Sequence, residues 1–304
     1  MIRYPINLDE LKNRIDKEKP SWRRRATTAT NYYTSKGAYS EPPKDTTAPS
    51  PFWAEIKWVY LDLQRRKCAY CERRPSSWAG DYAIEHFRPK SRVDDWPTVD
   101  HPKQASFAFA SNGGASQGYY LIAYHILNYT AACSQCNTRL KRNFFPIHSS
   151  RDIKTADPIA LLSSEQPYLI YPLGNHDTDP ENLIGFDGII PCPKTSSSSH
   201  DHRRAEVTID LLGLQVREEL LRERASILDS LIDDLVDEHN HPDPQRRRKA
   251  RNAILRSQSR GSEHSSCAKC FVALYRRDPV SAKQIAKDAT RYLNSTVRLG
   301  LPRP

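Results

Sequence analysis

The sequence has no apolar run approaching the roughly 18 residues that a bilayer span requires, which excludes an integral membrane protein. Its first residues, 1–5, contain no apolar signal segment, so we expect a cytoplasmic protein. Only 11 of the 304 residues are glycine and no internal repeat is visible, which argues against a fibrous or wholly disordered chain. With 38% hydrophobic residues, the sequence predicts a globular protein with a modest core.

Acidic residues are scarce near the C-terminal end. Residues 241–304 hold 15 Lys and Arg against 4 Asp and Glu, whereas residues 1–240 hold 31 against 32. The whole net charge of +10 therefore comes from the C-terminal segment. This asymmetry predicts a surface for a polyanion such as nucleic acid, or for an acidic partner. A solvated helix face fits the arginine run 246–248 equally well.

Six of the seven cysteines form pairs with two residues between them, namely Cys68/Cys71, Cys133/Cys136 and Cys267/Cys270. In a reducing cytosol such pairs predict metal ligands before disulfides. Each pair can turn both sulfurs towards one ion, and two pairs complete the tetrahedron that zinc prefers. We therefore expect the first two pairs to hold one structural Zn²⁺. The third pair precedes an apolar helical stretch, which favours packed thiols, with half of a second zinc site as the alternative.

The spacing of apolar residues predicts helices over 52–67, 206–238, 244–258 and 279–297. It also predicts a hairpin-like stretch at 72–88, a loop at 91–118 and a short basic helix that ends at Lys141. We expect four segments: an N-terminal extension, a core, an irregular linker and a helical basic region, over residues 1–50, 51–150, 151–205 and 206–304.

An acid–histidine pair, Glu85-His86, lies between the first two cysteine pairs, and Asn137 directly follows the second pair. This order resembles the HNH endonucleases, the zinc-stapled branch of the ββα-metal nucleases. The resemblance is closest to a subgroup with motifs matching residues 68–72, 85–91, 123–128 and 133–146. That subgroup looks like the nuclease component of ATPase-paired anti-phage systems of the Septu type, some of them associated with retrons. The match extends over about residues 52–224.

The resemblance implies an α+β fold in which a ββα-metal core is stapled by a four-cysteine zinc site, with helical N- and C-terminal additions. His86 would be the general base that activates water, since an imidazole titrates near neutral pH. Glu85 and Asn137 would offer oxygen ligands to a catalytic Mg²⁺ or Mn²⁺. This ion must differ from the zinc, whose four thiolates leave no open position.

Four further residues receive roles from the same resemblance. Asn128 would brace the loop that carries His86 without touching the metal. Lys141, one helical turn after Asn137, would contact a phosphate oxygen, and Arg88 and Lys90 would contact the substrate strand. The sequence departs from the subgroup before Asn128, where an acidic residue and a tryptophan are replaced. His125 in this stretch is a packed or surface histidine, or alternatively a second metal or phosphate contact.

Three functional hypotheses follow. The first is a metal-dependent endonuclease that cleaves DNA by default, with RNA or transfer RNA as the alternative substrate. The second is a non-catalytic zinc protein that binds nucleic acid through its basic C-terminal segment and serves as a targeting subunit. The third concerns assembly: the helices after residue 206 would dock onto an ATPase partner, although such faces usually pack within their own domain.

Overall fold

The computed structural model describes residues 1–41, 44–74, 81–197 and 199–295. These residues form two compact units. The first, called the motif unit here, lies within Arg3–Ala69 and Pro75–Thr178. The second, the helical unit, comprises Met1–Ile2, Tyr70–Arg74 and the described residues from Asp179 onwards. Both units combine helices with two-stranded sheets, which confirms the α+β class. The four predicted segments stay a prediction.

The described residues of the motif unit form four α-helices and four short strands. Its α-helices are α1 Leu8–Glu18, α2 Trp22–Lys36, α3 Lys57–Leu63 and α4 Ala160–Glu165. Its strands are β1 Tyr82–His86, β2 Arg92–Val93, β3 Ser116–Gln117 and β4 Tyr129–Cys133. A further helix with π-type hydrogen bonding, Gln135–Lys141, directly follows β4. Short 3₁₀ turns lie at Trp53–Ile56, Ala105–Ala110, Tyr120–Ile122 and Ile126–Asn128.

The N-terminal extension is helical, as the fold prediction expected. Asn7 begins α1 by accepting hydrogen bonds from two backbone N–H groups of the first turn, and α2 ends at Gly37 with φ +68°. The helix α2 buries Trp22, whose ring packs edge-on against Phe52 and Tyr129. The extension therefore contributes to the core of the motif unit.

The central sheet of the motif unit pairs strands that are distant in sequence. Strand β1 runs antiparallel to β4, with His86 opposite Tyr129 and Tyr82 opposite Cys133. The hairpin-like pairing expected within 72–88 is therefore wrong for β1, since its partner is β4; residues 75–80 lie outside the described part. Within the stretch 91–118, expected to be a loop, β2 pairs with β3.

The helical unit contains a hairpin and six helices. The hairpin consists of β5 Ile184–Asp187 and β6 Ile190–Pro193, inside a stretch expected to be irregular. The helices are α5 Pro180–Leu183, α6 His200–Leu211, α7 Glu218–Asn240, α8 Pro244–Ser257, α9 Ser265–Arg277 and α10 Pro279–Asn294. Its core is formed by apolar residues from α7 to α10, among them Leu228, Leu231, Ile254, Phe271 and Ala286. Among the residues described, no helix is both long and apolar enough to cross a membrane.

The single helix predicted over 206–238 is wrong, because the chain breaks it into α6 and α7. Gly213 adopts φ +56°, a left-handed conformation that ends a helix at little cost for glycine. The N–H of Leu214 then donates to the carbonyl of Ile209 at 2.9 Å, which closes the end of α6. The helices predicted at 244–258 and 279–297 agree with α8 and with the described part of α10.

Candidate active site and metal centre

Four cysteines come together in the structure. The Sγ atoms of Cys68, Cys71, Cys133 and Cys136 all lie within 4.8 Å of one another. Two sulfurs bound to one zinc at about 2.3 Å each lie roughly 4 Å apart, so the cluster has the size and the donor chemistry of a tetrahedral zinc site. Among the residues described, it is the one group of three or more His, Cys, Asp or Glu side chains that could hold a metal. The predicted four-cysteine site is therefore confirmed as a geometric cluster that could hold zinc.

A buried glutamine fastens the first cysteine pair to β4. The side-chain amide of Gln64 donates to the carbonyls of Lys67 and Ala131 at 3.0 and 2.8 Å, and its oxygen accepts from the N–H of Ala131 at 2.8 Å. Ala69 N–H donates to the same Ala131 carbonyl at 3.1 Å. No sequence signal identified Gln64, because its partner Ala131 lies 67 positions away in the chain.

His86 lies at the end of β1, where only 8% of its surface is exposed. Its Nε2 is 3.0 Å from the carbonyl oxygen of Ala123, which also accepts a hydrogen bond from the hydroxyl of Tyr129 at 2.6 Å. Because a carbonyl only accepts, Nε2 carries the proton in this contact, and Nδ1 of the neutral ring can accept one. The rings of Trp53 and Tyr129 pack edge-on against the imidazole at 4.8 and 5.0 Å.

The surroundings of His86 favour the neutral form of its imidazole. Burial lowers the pKa of His86 well below its usual range, and the positive charge of Lys90 lowers it further. A neutral ring with a fixed Nε2–H bond has the protonation state and the orientation of a general base.

Glu85 forms a buried ion pair with Lys141. The Nζ atom of Lys141 lies 2.5 Å from the Oε1 atom of Glu85 and donates to the backbone carbonyl of His86 at 2.9 Å. Burial raises the pKa of the Glu85 carboxyl, and the charges of Lys141 and Lys90 act in the opposite direction. Lys141 thus joins the helix Gln135–Lys141 to the end of β1. With its side chain fully buried, the predicted phosphate contact of Lys141 would require breaking this pair.

Asn128 contacts the backbone directly after His86. Its Oδ1 accepts from the N–H of Arg88 at 2.8 Å, and its Nδ2 donates to the carbonyls of Arg88 and Ile122 at 3.0 and 3.2 Å. The backbone carbonyl of Asn128 accepts from Phe87 N–H at 2.8 Å. Asn128 is fully buried. Its contribution to catalysis stays a prediction.

Arg88 lies inside the motif unit, with 1% of its surface exposed. Its Nε donates to Glu165 at 3.0 Å, and its guanidinium lies over the rings of Phe145 and Tyr119. Glu165 also accepts from the Tyr119 hydroxyl at 2.8 Å. This burial and pairing favour a structural role for Arg88, and its contact with the substrate stays a prediction.

Lys90 is the more accessible of the two predicted substrate contacts, with 21% of its side chain exposed. Its ammonium group pairs with Glu41 at 3.2 Å and lies over the rings of Tyr39 and Trp53 at 5.1 and 4.8 Å. The positive charge of Lys90 lowers the pKa values of both His86 and Glu85. These three side chains therefore share one electrostatic neighbourhood.

Asn137, His125 and Cys267 are the other residues that the sequence analysis singled out. Asn137 is half-buried in the helix that Lys141 fastens to β1. His125 accepts a hydrogen bond from Leu127 N–H through Nδ1, so it caps the 3₁₀ turn Ile126–Asn128. Burial raises the pKa of the Cys267 thiol to about 12, and Cys267 packs in the apolar core of the helical unit, as the packed-thiol interpretation expected.

Comparison with known proteins supports the resemblance drawn from the motifs. The chain is similar to the Septu protein PtuB of Bacillus mycoides (strain KBAB4), with 28% identity over 188 residues. The aligned part covers 60% of this chain and 55% of that protein, so the chain spans about half the length of the relative it matches. No family model matches the chain. No solved structure matches it significantly. The expected likeness to a Septu protein is confirmed in sequence, whereas the HNH subgroup stays a prediction.

We expect the substitution Cys136→Ser to remove bound zinc and to lower the melting temperature by about 10 °C or more. The reason is that structural zinc contributes its binding free energy directly to folding, and 1 kcal/mol shifts the melting temperature by about 2–4 °C in domains of 150–250 residues. Metal analysis of the purified protein and a thermal melt measure both effects. Cys270→Ser, outside the cluster, is the control and should keep one zinc per chain. Full zinc content in the Cys136→Ser protein would contradict the assignment.

We expect Lys141→Met to destabilise the protein by about 3–5 kcal/mol, because it leaves the buried carboxylate of Glu85 without its cation. The double variant Lys141→Met/Glu85→Leu removes both charges and should recover most of this loss. Urea denaturation gives the free energies of unfolding. The exposed pair of Asp62 with Arg66 provides a control, since Asp62→Asn should cost less than about 1 kcal/mol. Equal losses in the single and double variants would show that the ion pair is not the cause.

Proposed function

We propose that this protein is a metal-dependent endonuclease that hydrolyses phosphodiester bonds in nucleic acid, with DNA as the default substrate. The observation that supports this most is the state of His86. Its Nε2–H is bound to the Ala123 carbonyl, its burial favours the neutral ring, and its Nδ1 can take a proton from water. The adjacent Glu85 adds a carboxylate within the reach of the same two lysine charges.

The oxygen donors of Glu85 and Asn137 suit a hard divalent cation such as Mg²⁺ or Mn²⁺. One carboxylate oxygen of Glu85 contacts Lys141, so the cation would use the other oxygen and the amide oxygen of Asn137. When bound, such an ion neutralises charge that builds on the phosphate and the leaving oxygen. Its binding remains part of the proposal.

The chain's own groups account for the other requirements. His86 accepts the proton of the attacking water at Nδ1, while the Ala123 carbonyl fixes the ring. Asn128 holds the backbone after His86, and Lys141 holds the backbone at His86 and the carboxylate of Glu85. These contacts preserve the position of the base, which matters because misplacement by about 1 Å can cost a hundredfold in rate. Lys90 is the cation available to a substrate phosphate beside the ring.

We further propose a role in anti-phage defence together with an ATPase partner, by analogy with the Septu protein that the chain resembles. The amphipathic face of α7, first considered for docking, packs into the core of the helical unit through Leu228, Leu231 and their neighbours. Docking would therefore use a different surface.

A second candidate function is nucleic-acid binding without cleavage. The helix α8 contains six Lys and Arg residues and no Asp or Glu. Arg246 and Arg251 pair with Asp237 and Glu238 of α7, at 2.9 and 3.1 Å. Three other cations of α8, Arg248, Lys249 and Arg256, are exposed and form no ion pair within the described part of the chain. They lie on the side of the helix away from Ala250 and Ile254, which are buried.

We expect His86→Ala to abolish cleavage, because no other group then accepts the proton from the attacking water. The assay incubates duplex DNA, single-stranded DNA and RNA with Mg²⁺ or Mn²⁺, with and without a candidate ATPase partner. The variant should keep its zinc and its fold. His176→Ala, which removes a half-buried histidine elsewhere in the motif unit, is the matched control and should retain activity.

The pH dependence of the wild-type rate tests the same assignment. Because the pKa of His86 is lowered, the ring stays neutral below the usual histidine pKa of about 6.5. Cleavage should therefore persist when the pH falls below about 6.5. Cleavage by the His86→Ala protein at the wild-type rate would exclude His86 as the base.

We expect replacement of Arg248, Lys249 and Arg256 by glutamine to weaken DNA binding at low salt. If each cation contacts one phosphate, the slope of log affinity against log salt should fall by about 2 to 3, since each contact contributes about 0.9. Fluorescence anisotropy across a KCl series measures this slope. The triple variant Arg276→Gln/Arg277→Gln/Lys283→Gln removes the same charge from other exposed positions of the helical unit. An equal change in slope for both triples would contradict a specific role of α8.

A further inference from the structure

Lys90, whose charge acts on the candidate base, is already paired with an anion from the N-terminal extension. Lys90 contacts Glu41 at 3.2 Å, and the hydroxyl of Tyr39 donates to the same carboxylate at 2.9 Å. The rings of Tyr39 and Trp53 flank the ammonium group on its other sides. Glu41 is thus held against Lys90 by two polar contacts.

Trp53 connects this array to His86. Its ring lies 4.8 Å from the ammonium of Lys90 and 4.8 Å from the imidazole of His86, centroid to centroid for the latter. A nucleic-acid phosphate that came close to the imidazole would therefore meet Lys90. Carboxylates and phosphates are both oxyanions that lysine binds through charge-assisted hydrogen bonds, so they compete for one ammonium group.

The backbone around Lys90 is rigidly placed. Gly118 packs so closely that a Cβ there would lie 2.5 Å from backbone atoms of Lys90 and Ser91. Gly118 N–H donates to the carbonyl of Ser91 at 3.1 Å, and Tyr119 N–H donates to that of Pro89 at 2.9 Å. The Glu41 side chain, by contrast, is 41% exposed. Of the two partners, Glu41 is the one that can move away without disturbing the core.

We propose that Lys90 forms a phosphate-binding subsite beside His86, and that Glu41 is an internal carboxylate that occupies this subsite until a substrate phosphate displaces it. The N-terminal extension lies outside the motif resemblance. Through Glu41 it thereby lowers the affinity of the site for substrate. The inference rests on the proposed function for its substrate, although binding can be measured without cleavage.

The test measures binding of a fluorescein-labelled DNA oligonucleotide, single-stranded or duplex, to the full zinc-loaded chain at fixed KCl without Mg²⁺ or Mn²⁺. We expect Glu41→Gln to bind about two- to fivefold more tightly, the range that follows from the strength of an exposed ion pair. Lys90→Gln should bind more weakly than the wild type. The double variant Glu41→Gln/Lys90→Gln should match Lys90→Gln, because the gain requires a free Lys90.

The control is Glu10→Gln, which removes the same charge from an ion pair of similar exposure. Glu10 is 45% exposed and pairs with Arg14 on its own helix at 2.7 Å. It should leave the affinity unchanged. An equal gain in affinity from Glu10→Gln would show that the effect arises from net charge alone, which would overturn the proposal. A gain from Glu41→Gln that survives loss of Lys90, or no gain at all, would also overturn it.

Cleavage assays separate this inference from the nuclease assignment. If Glu41→Gln tightens binding through Lys90 while no variant cleaves any substrate, the subsite stands and the proposed nuclease activity falls. If the chain cleaves nucleic acid but Glu41→Gln leaves binding unchanged, the nuclease assignment stands and the subsite falls.

Discussion

The candidate site depends on closing the chain between Cys68 and Cys133, which are 65 positions apart. Loop-closure entropy opposes this step, and a two-stranded sheet such as β1–β4 is only marginally stable alone. A zinc ion held by four thiolates would supply roughly 10–16 kcal/mol at neutral pH in small domains, which is enough to offset that cost. Gln64 bonds to the same strand, so the cysteine cluster, the sheet and this amide support one another. The position of His86 at the end of β1 follows from all three.

In the segment 85–90, each polar side chain named above contacts a different partner. Glu85 pairs with Lys141, the His86 ring bonds to the Ala123 carbonyl, Arg88 pairs with Glu165 and Lys90 with Glu41. Burying charges is costly unless each one is paired, so the partners of Glu85 and Arg88 must be in place before the segment is stable. The same pairing fixes the chemistry: the pairs keep three carboxylates and three cations compensated, while burial favours the neutral form of the imidazole. Structure and candidate function therefore rest on the same contacts.

The sequence predicted those features that local spacing encodes. Paired cysteines identified the cluster, apolar periodicity placed α8 and α10, and the acid–histidine pair drew attention to β1. The sequence could not show that Arg88 and Lys90 have different surroundings, because they are two positions apart and carry the same charge. Their difference arises from partners distant in the chain, since Arg88 meets Glu165, 77 positions away. The break between α6 and α7 escaped because amphipathic spacing continues across it, and the lone Gly213 was its available local signal.

The two candidate functions, cleavage and binding of nucleic acid, use residues that belong to different units. The candidate base His86, its neighbouring carboxylate and Lys90 belong to the motif unit, whereas the exposed cations of α8 belong to the helical unit. The acidic end of α7 neutralises part of α8 through Asp237 and Glu238, which leaves the outward cations as the available charge. Phosphate contacts of this kind carry affinity but little sequence information. A chain that binds nucleic acid through one unit and cleaves it through the other would therefore owe any sequence preference to the surroundings of His86, where Trp53, Lys90 and Glu41 lie.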